Sequence, residues 1–249
     1  MNVTELKNLT EYEGRTVLLV AKVGSVNYNL DDETSDLDYK VYVLPSFDDL
    51  YSGKRFVTSK TSDELDFTVH DVRELAKQLE KSNVNFVEVL FSTELTVKDD
   101  RMKYLVEMRE ELARMNLPYF YDACFGMLHN KVKTFEKGTG GTNHFVEKHG
   151  YDTKAFMTMY RMMDFLLRYE KNGFTSFLEA VRYSEEERTF MLSLKHGAYS
   201  KERALETVRL MREQVEAKKD VYKSRAFDEE TRAKMETFLK TLVYETVMK

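Results

Sequence analysis

The chain has 249 residues, 42% apolar and 33% charged, with 16 Phe, 15 Tyr, no Trp, only two Pro and ten Gly. That balance excludes a disordered or fibrous chain, and no window approaches the run of about 20 apolar residues that spans a bilayer. The net charge of −5 is uneven: residues 1–100 hold 11 Lys and Arg against 20 Asp and Glu (−9), and the remainder 27 against 23 (+4).

An acidic first half suits a cation-binding centre and a mildly basic second half could face a polyanion; the alternative is that both are ordinary solvated surfaces. The start, Met1-Asn2-Val3-Thr4-Glu5, lacks a basic region followed by an apolar one, so no secretory signal is visible and a cytoplasmic location is expected. The single cysteine, Cys124, sits among Phe120, Tyr121, Phe125 and Met127 and reads as a buried thiol.

In chain order, 17–21 is a short β-branched run that ends at Gly24-Ser25, a buried strand running into a turn. Residues 37–44 alternate, with Leu37, Tyr39, Val41 and Val43 on one face and Asp36, Asp38, Lys40 and Tyr42 on the other. A third strand is predicted at 65–69. A helix follows from near Asp71, with Glu74 three residues later as in a capping box, through Leu75 and Leu79. Residues 86–91 read as a fourth strand. Beyond residue 98 the spacing turns helical, at 100–115, from Pro118 through Leu128, and at 153–171, 184–194, 200–220 and 228–247. The only Gly-rich stretch, 137–142, reads as a connecting loop and lacks the Gly-Lys-Ser/Thr of a P-loop. The class is α+β: a mixed sheet with helices over 1–98, then a helical domain over 99–249.

The chemistry concentrates in 24–39. Gly24 and Ser25 at a strand end permit a tight turn whose N–H groups, with the Ser25 hydroxyl, can meet phosphate oxygens. Asp36 and Asp38 stand two apart on a strand, so both carboxylates leave one face. That arrangement holds hard, oxygen-loving Mg²⁺ or Mn²⁺ beside a triphosphate, and two such ions clamp an in-line displacement. The alternative is an acidic solvent-facing edge strand. A third carboxylate on a neighbouring strand would complete the shell and take the acceptor's proton. Asp66 is the candidate, with Asp63 and Glu64 in the loop before it and Asp71 better used as a helix cap. Glu88 could also face the site. Lys154 and Arg161, seven apart, share a helix face and could reach a triphosphate or remain a solvated surface. The stripe Phe156, Met159, Tyr160, Met163, Leu166 and Leu167 reads as core.

Residues 18–98 resemble the polymerase-β-like nucleotidyltransferases associated with RNA repair pathways in bacteria and phages. The matching segments are Gly24-Ser25, Tyr28, Ser35-Asp36-Leu37-Asp38, Tyr42-Val43-Leu44-Pro45, Asp66-Phe67-Thr68 and the run 83–91. A weaker likeness continues at 149–154 with Arg161, then at Lys195-His196-Gly197. Asn29 departs from a frequent glycine, yet asparagine tolerates positive φ. The resemblance implies metal-dependent transfer of a nucleoside monophosphate from an NTP to a hydroxyl and does not settle the acceptor; taken with the +4 helical half it favours an RNA end, such as that of a tRNA. A protein or small-molecule hydroxyl, an inactive nucleotide-binding module and a partner-binding scaffold remain alternatives.

Overall fold

In the computed structural model, which describes residues 1–62 and 65–247, α1 (Val3–Asn8) is capped by Asn2 and leads to a hairpin of β1 (Glu11–Tyr12) and β2 (Arg15–Val23). Glu13 and Gly14 take φ of 47° and 73° there, the backbone that a two-residue hairpin loop requires. β2 contains the expected apolar run and ends at a 3₁₀ turn, Gly24–Tyr28. After β3 (Asp38–Val43) come α2 (Phe47–Tyr51), β4 (Val57–Lys60), β5 (Asp66–Asp71), α3 (Arg73–Glu80), α4 (Val84–Val87) and β6 (Leu95–Val97). The strands form one sheet in the order β1-β2-β3-β5-β4, with β6 also on β2. β3 runs antiparallel to β2 but parallel to β5, so the sheet is mixed, as expected.

One face of this sheet buries Tyr39, Val41, Val43, Phe67 and Val69 with Leu6, Tyr12 and Phe56. Burial of each such aliphatic side chain is worth about 1.5–3 kcal/mol. Alternation sends Asp38, Lys40 and Tyr42 of β3, and Asp66, Thr68 and His70 of β5, to the other face. There the Tyr42 hydroxyl donates to Gln78 of α3 at 2.7 Å.

Two local expectations are corrected. The run 86–91 is not a strand: it comprises the end of α4 and a 3₁₀ turn, Glu88–Phe91, started by the Asn83 side chain accepting from the Asn85 N–H. Residues 87–91 are all buried, Glu88 included, and a short segment buried on every side has no period by which sequence could tell a strand from a helix. Asp71 forms no capping box with Glu74. Its carboxylate is fully buried and accepts both the backbone N–H and the guanidinium of Arg73. Asp63 and Glu64 lie outside the described residues.

Contacts divide the chain into two compact units, Met1–Asn27 with Asp31–Asn116 and Phe227–Lys249, and Tyr28–Leu30 with Leu117–Ala226. The first continues beyond residue 98 through α5 (Lys103–Glu107) and α6 (Arg109–Arg114). The second holds α7 (Leu117–Thr134), α8 (Asn143–His149), α9 (Thr153–Lys171), α10 (Phe177–Val181), α11 (Glu185–Lys195), α12 (Lys201–Glu216) and α13 (Lys219–Lys223). α7, α10, α11 and α12 surround α9. Phe156, Met159, Met163 and Leu166 are therefore buried as expected, and so are Met162, Phe165 and Tyr169 outside the expected stripe, while Tyr160 and Leu167 are half-buried. Cys124 is buried here, and desolvation pushes its thiol far up, which makes it unreactive. The last helix, α14 (Glu229–Val247), returns to the first unit and packs on α3.

Candidate active site

β3 and β5 pair in parallel with Asp38 opposite Asp66, each the first residue of its strand. Register partners on parallel strands share a face, so the two carboxylates emerge side by side from strands about 4.8 Å apart. The Asp66 N–H donates to the Leu37 carbonyl at 3.0 Å, which fixes that register. A carboxylate oxygen of Asp66 accepts from the Ser62 N–H at 3.2 Å.

On the other flank, antiparallel β2 sets Val23 opposite Asp38, so Gly24 lies against the aspartate. Gly24 has φ +83°, and a Cβ there would stand 3.1 Å from Asp38 Oδ2. Only glycine meets both conditions without strain. Asp36, expected on the strand and face of Asp38, instead lies two residues ahead of β3, outside the sheet pairing that would fix its direction, and is exposed. It lines a cavity of about 710 Å³ with residues 2–4, Glu33, Thr34, Ser35, Leu37 and Leu65. Asn29, in the loop between, takes φ +59°, so the asparagine meets the conformation expected of it.

Among the described residues no three His, Cys, Asp or Glu side chains are gathered as an assembled metal shell. The donor chemistry nevertheless fits a hard divalent cation. Asp38 and Asp66 offer carboxylate oxygens from adjacent strands, Asp36 precedes Asp38 by two residues, and the missing Gly24 side chain leaves a cradle beside Asp38.

Behind the pair lies a polar cluster that the sequence indicated only in part. Glu88 is buried, and one of its oxygens accepts from the Gly24 N–H at 3.2 Å and the Asn27 amide at 3.1 Å. The Gly24 N–H thus anchors the turn to Glu88. It does not point outward to a phosphate. Lys40, two residues after Asp38 on the same face, has its ammonium 5.4 Å from the centre of the Phe86 ring. Burial lowers its pKa, and the charges of Glu88 and Asp38 work against that shift. His70 stacks on Tyr42 at 5.5 Å and meets Phe86 edge-on. Burial, helped by the Lys40 charge, pushes it down to about 4. Alternation gives the face of Lys40 but not its neighbours, so this cluster is not readable from the sequence.

Lys154 and Arg161 lie on α9, in the second unit. The Arg161 guanidinium stacks 3.7 Å over the ring of Tyr28, which belongs to that unit, and its Nη1 has no hydrogen-bond partner among the described residues. The two weaker segments of likeness prove to be one junction. A Cβ on Gly197 would lie 2.3 Å from the His149 imidazole, and the Thr153 hydroxyl donates to the Lys195 carbonyl.

A mixed sheet that sets paired aspartates beside a glycine turn, with a helical region following it, is that of a nucleotidyltransferase of the polymerase β type. The chain belongs to the RNA repair pathway DNA polymerase beta family, whose model matches residues 1–242. Among solved structures it is similar to a nucleotidyltransferase-like protein from Exiguobacterium sibiricum 255-15, at 15% identity over 98% of this chain and 73% of that one, with a TM-score of 0.27. No curated protein matches it. No helix among the described residues is long and apolar enough to cross a membrane.

Proposed function

We propose that the protein moves a nucleoside monophosphate from an NTP to the terminal hydroxyl of an RNA, with a tRNA end as the first candidate. The acceptor oxygen attacks the α-phosphorus, the α–β phosphoanhydride bond breaks, and pyrophosphate leaves. Asp36, Asp38 and Asp66 would hold two Mg²⁺ or Mn²⁺ ions, which when bound neutralise charge on the attacking and leaving oxygens. Asp66 takes the proton of the acceptor hydroxyl. Gly24 shapes the turn that presents the Ser25 hydroxyl to the β- and γ-phosphates, and Lys154 and Arg161 of the second unit are the proposed cationic contacts to a nucleotide or acceptor phosphate. Residues 1–98 act as the catalytic domain and 99–249 as the helical domain, in the cytoplasm of a bacterium or of a phage-infected cell.

One observation carries this reading: the shared register of Asp38 and Asp66, with Gly24 against the first of them. Two like charges side by side oppose folding unless a cation is to be held, because each raises the cost of the other. The test is transfer of label from each α-labelled NTP to total RNA and to protein, with Mg²⁺ or Mn²⁺. Label in RNA, lost in Asp38→Asn and Asp66→Asn, supports the proposal. Label in protein would keep the chemistry and discard the RNA acceptor. Nucleotide binding with no labelled product under any condition would leave an inactive binding module.

A further inference from the structure

A second cavity, of about 580 Å³, lies in the first unit at the far end of the catalytic strands. Leu50 of α2, Ala76 of α3, and Leu239, Val243 and Tyr244 of α14 form its apolar wall, and Arg55, Arg73, Lys240 and Glu236 its polar rim. That size suits one nucleotide-sized ligand.

The charge balance of the rim favours an anion. Glu236 is already bound by Arg232 at 3.1 Å. Arg73 spends Nε and Nη2 on Asp71 and the Lys54 carbonyl, but its Nη1 has no hydrogen-bond partner among the described residues. Arg55 is held by Glu74 through a long contact, 3.5 Å from Nε, and is itself largely exposed. Lys240 is exposed and makes no ion pair among the described residues.

The apolar part is aromatic and open. Tyr244 in its wall is 64% exposed, and outside the cavity lining, on the same helix as Leu50, Phe47 and Tyr51 are 69% and 86% exposed and stack on each other at 6.2 Å. Large rings left in water beside cationic donors match a ligand with both planar apolar faces and phosphates. That is single-stranded nucleic acid, whose bases stack on such rings regardless of sequence. α2 follows β3, so this surface stands at the strands' C-terminal end, whereas Asp38 and Asp66 open their N-terminal end. Five strand steps separate the two ends by roughly 17 Å.

We infer that this groove is a holding site for the single-stranded part of the acceptor RNA, away from its reacting end, with a base on Tyr244 and a phosphate at Lys240 and Arg55. The inference rests on the RNA-acceptor reading above. Its test is therefore binding without turnover: anisotropy of a labelled ten-nucleotide single-stranded RNA across a salt series, with no NTP present. Tyr244→Ala should weaken binding about tenfold, and Lys240→Glu should lower the salt slope by about one, with thermal melting unchanged in both. Unchanged RNA affinity in both variants overturns the inference. Loss of self-association in the variants, with RNA affinity intact, overturns it in favour of an interface between two copies. Groove-dependent RNA binding without label transfer into RNA would sustain the groove and remove the acceptor reading. Transfer into RNA that neither variant affects would do the reverse.

Discussion

Asp38 and Asp66 are register partners at the first residues of two parallel strands, and the backbone of Gly24 closes against Asp38 from the other side. Sequence separates these three residues, and only the pairing of β2, β3 and β5 unites them.

Asp38→Asn and Asp66→Asn remove one of two adjacent like charges. Each is expected to leave the melting temperature unchanged or raise it, because repulsion falls, and to reduce turnover by about 10³-fold. Thermal denaturation beside label transfer checks this. A fall in melting temperature matching the loss of activity would assign the pair a structural role instead.

Gly24→Ala places a Cβ where φ is +83° and Asp38 Oδ2 stands 3.1 Å away. Left-handed backbone at alanine costs roughly 1–2 kcal/mol, and Asp38 must also shift. Urea denaturation is expected to show that modest loss, while kcat/KM falls by about 100-fold, as happens when a reacting group is displaced by an ångström or so. Equal effects on both would argue against a site at the turn.

Glu88→Ala strands the half-buried N–H of Gly24 and the buried Asn27 amide, and removes a charge that faces Lys40. Leaving a buried donor without its acceptor costs about 1–3 kcal/mol. Glu88→Gln keeps an acceptor oxygen and loses only the charge, so its cost is expected to be less than half as large. Urea midpoints of the two variants, compared with wild type, decide this, and equal destabilisation by both would refute the anchoring role.

His70 gives the pH dependence. Its folded pKa is depressed to about 4, below the ordinary value of 6.5, so between those values the unfolded chain binds more protons. Stability is then full above about pH 6.5 and declines as pH falls towards 4. From pH 7 to pH 5 the loss due to this residue is about 2 kcal/mol. His70→Phe keeps the stack with Tyr42 and has no ring nitrogen to protonate, so its stability is expected to change correspondingly less over the same interval. Parallel pH profiles of the two proteins would contradict this account.

The longer helices of the second half were legible because their caps are local, whereas α8, α10 and the break between α12 and α13 were not. Ser184 closes a capping box with Glu187, Ser200 accepts from the Arg203 N–H, and Asp152 from the Ala155 N–H. The short elements were not legible. α2 and β1 have five and two residues, too few for a period to form; β1 is held by its pairing with β2, and α2 is tied to β2 by the two hydrogen bonds from Arg15 to Asp49.

Sequence by itself determined the strand that carries Asp38, its polar and apolar faces, the Gly24 turn and the candidacy of Asp66, since alternation and turn chemistry act between residues close along the chain. Tertiary structure alone decided that Asp38 and Asp66 share a register, that Glu88 reaches Gly24 from a helical turn, and that Lys40 and His70 are desolvated behind them. Those relations join residues tens of positions apart. They are set by which strands pair and what packs over them, and no local period encodes that choice.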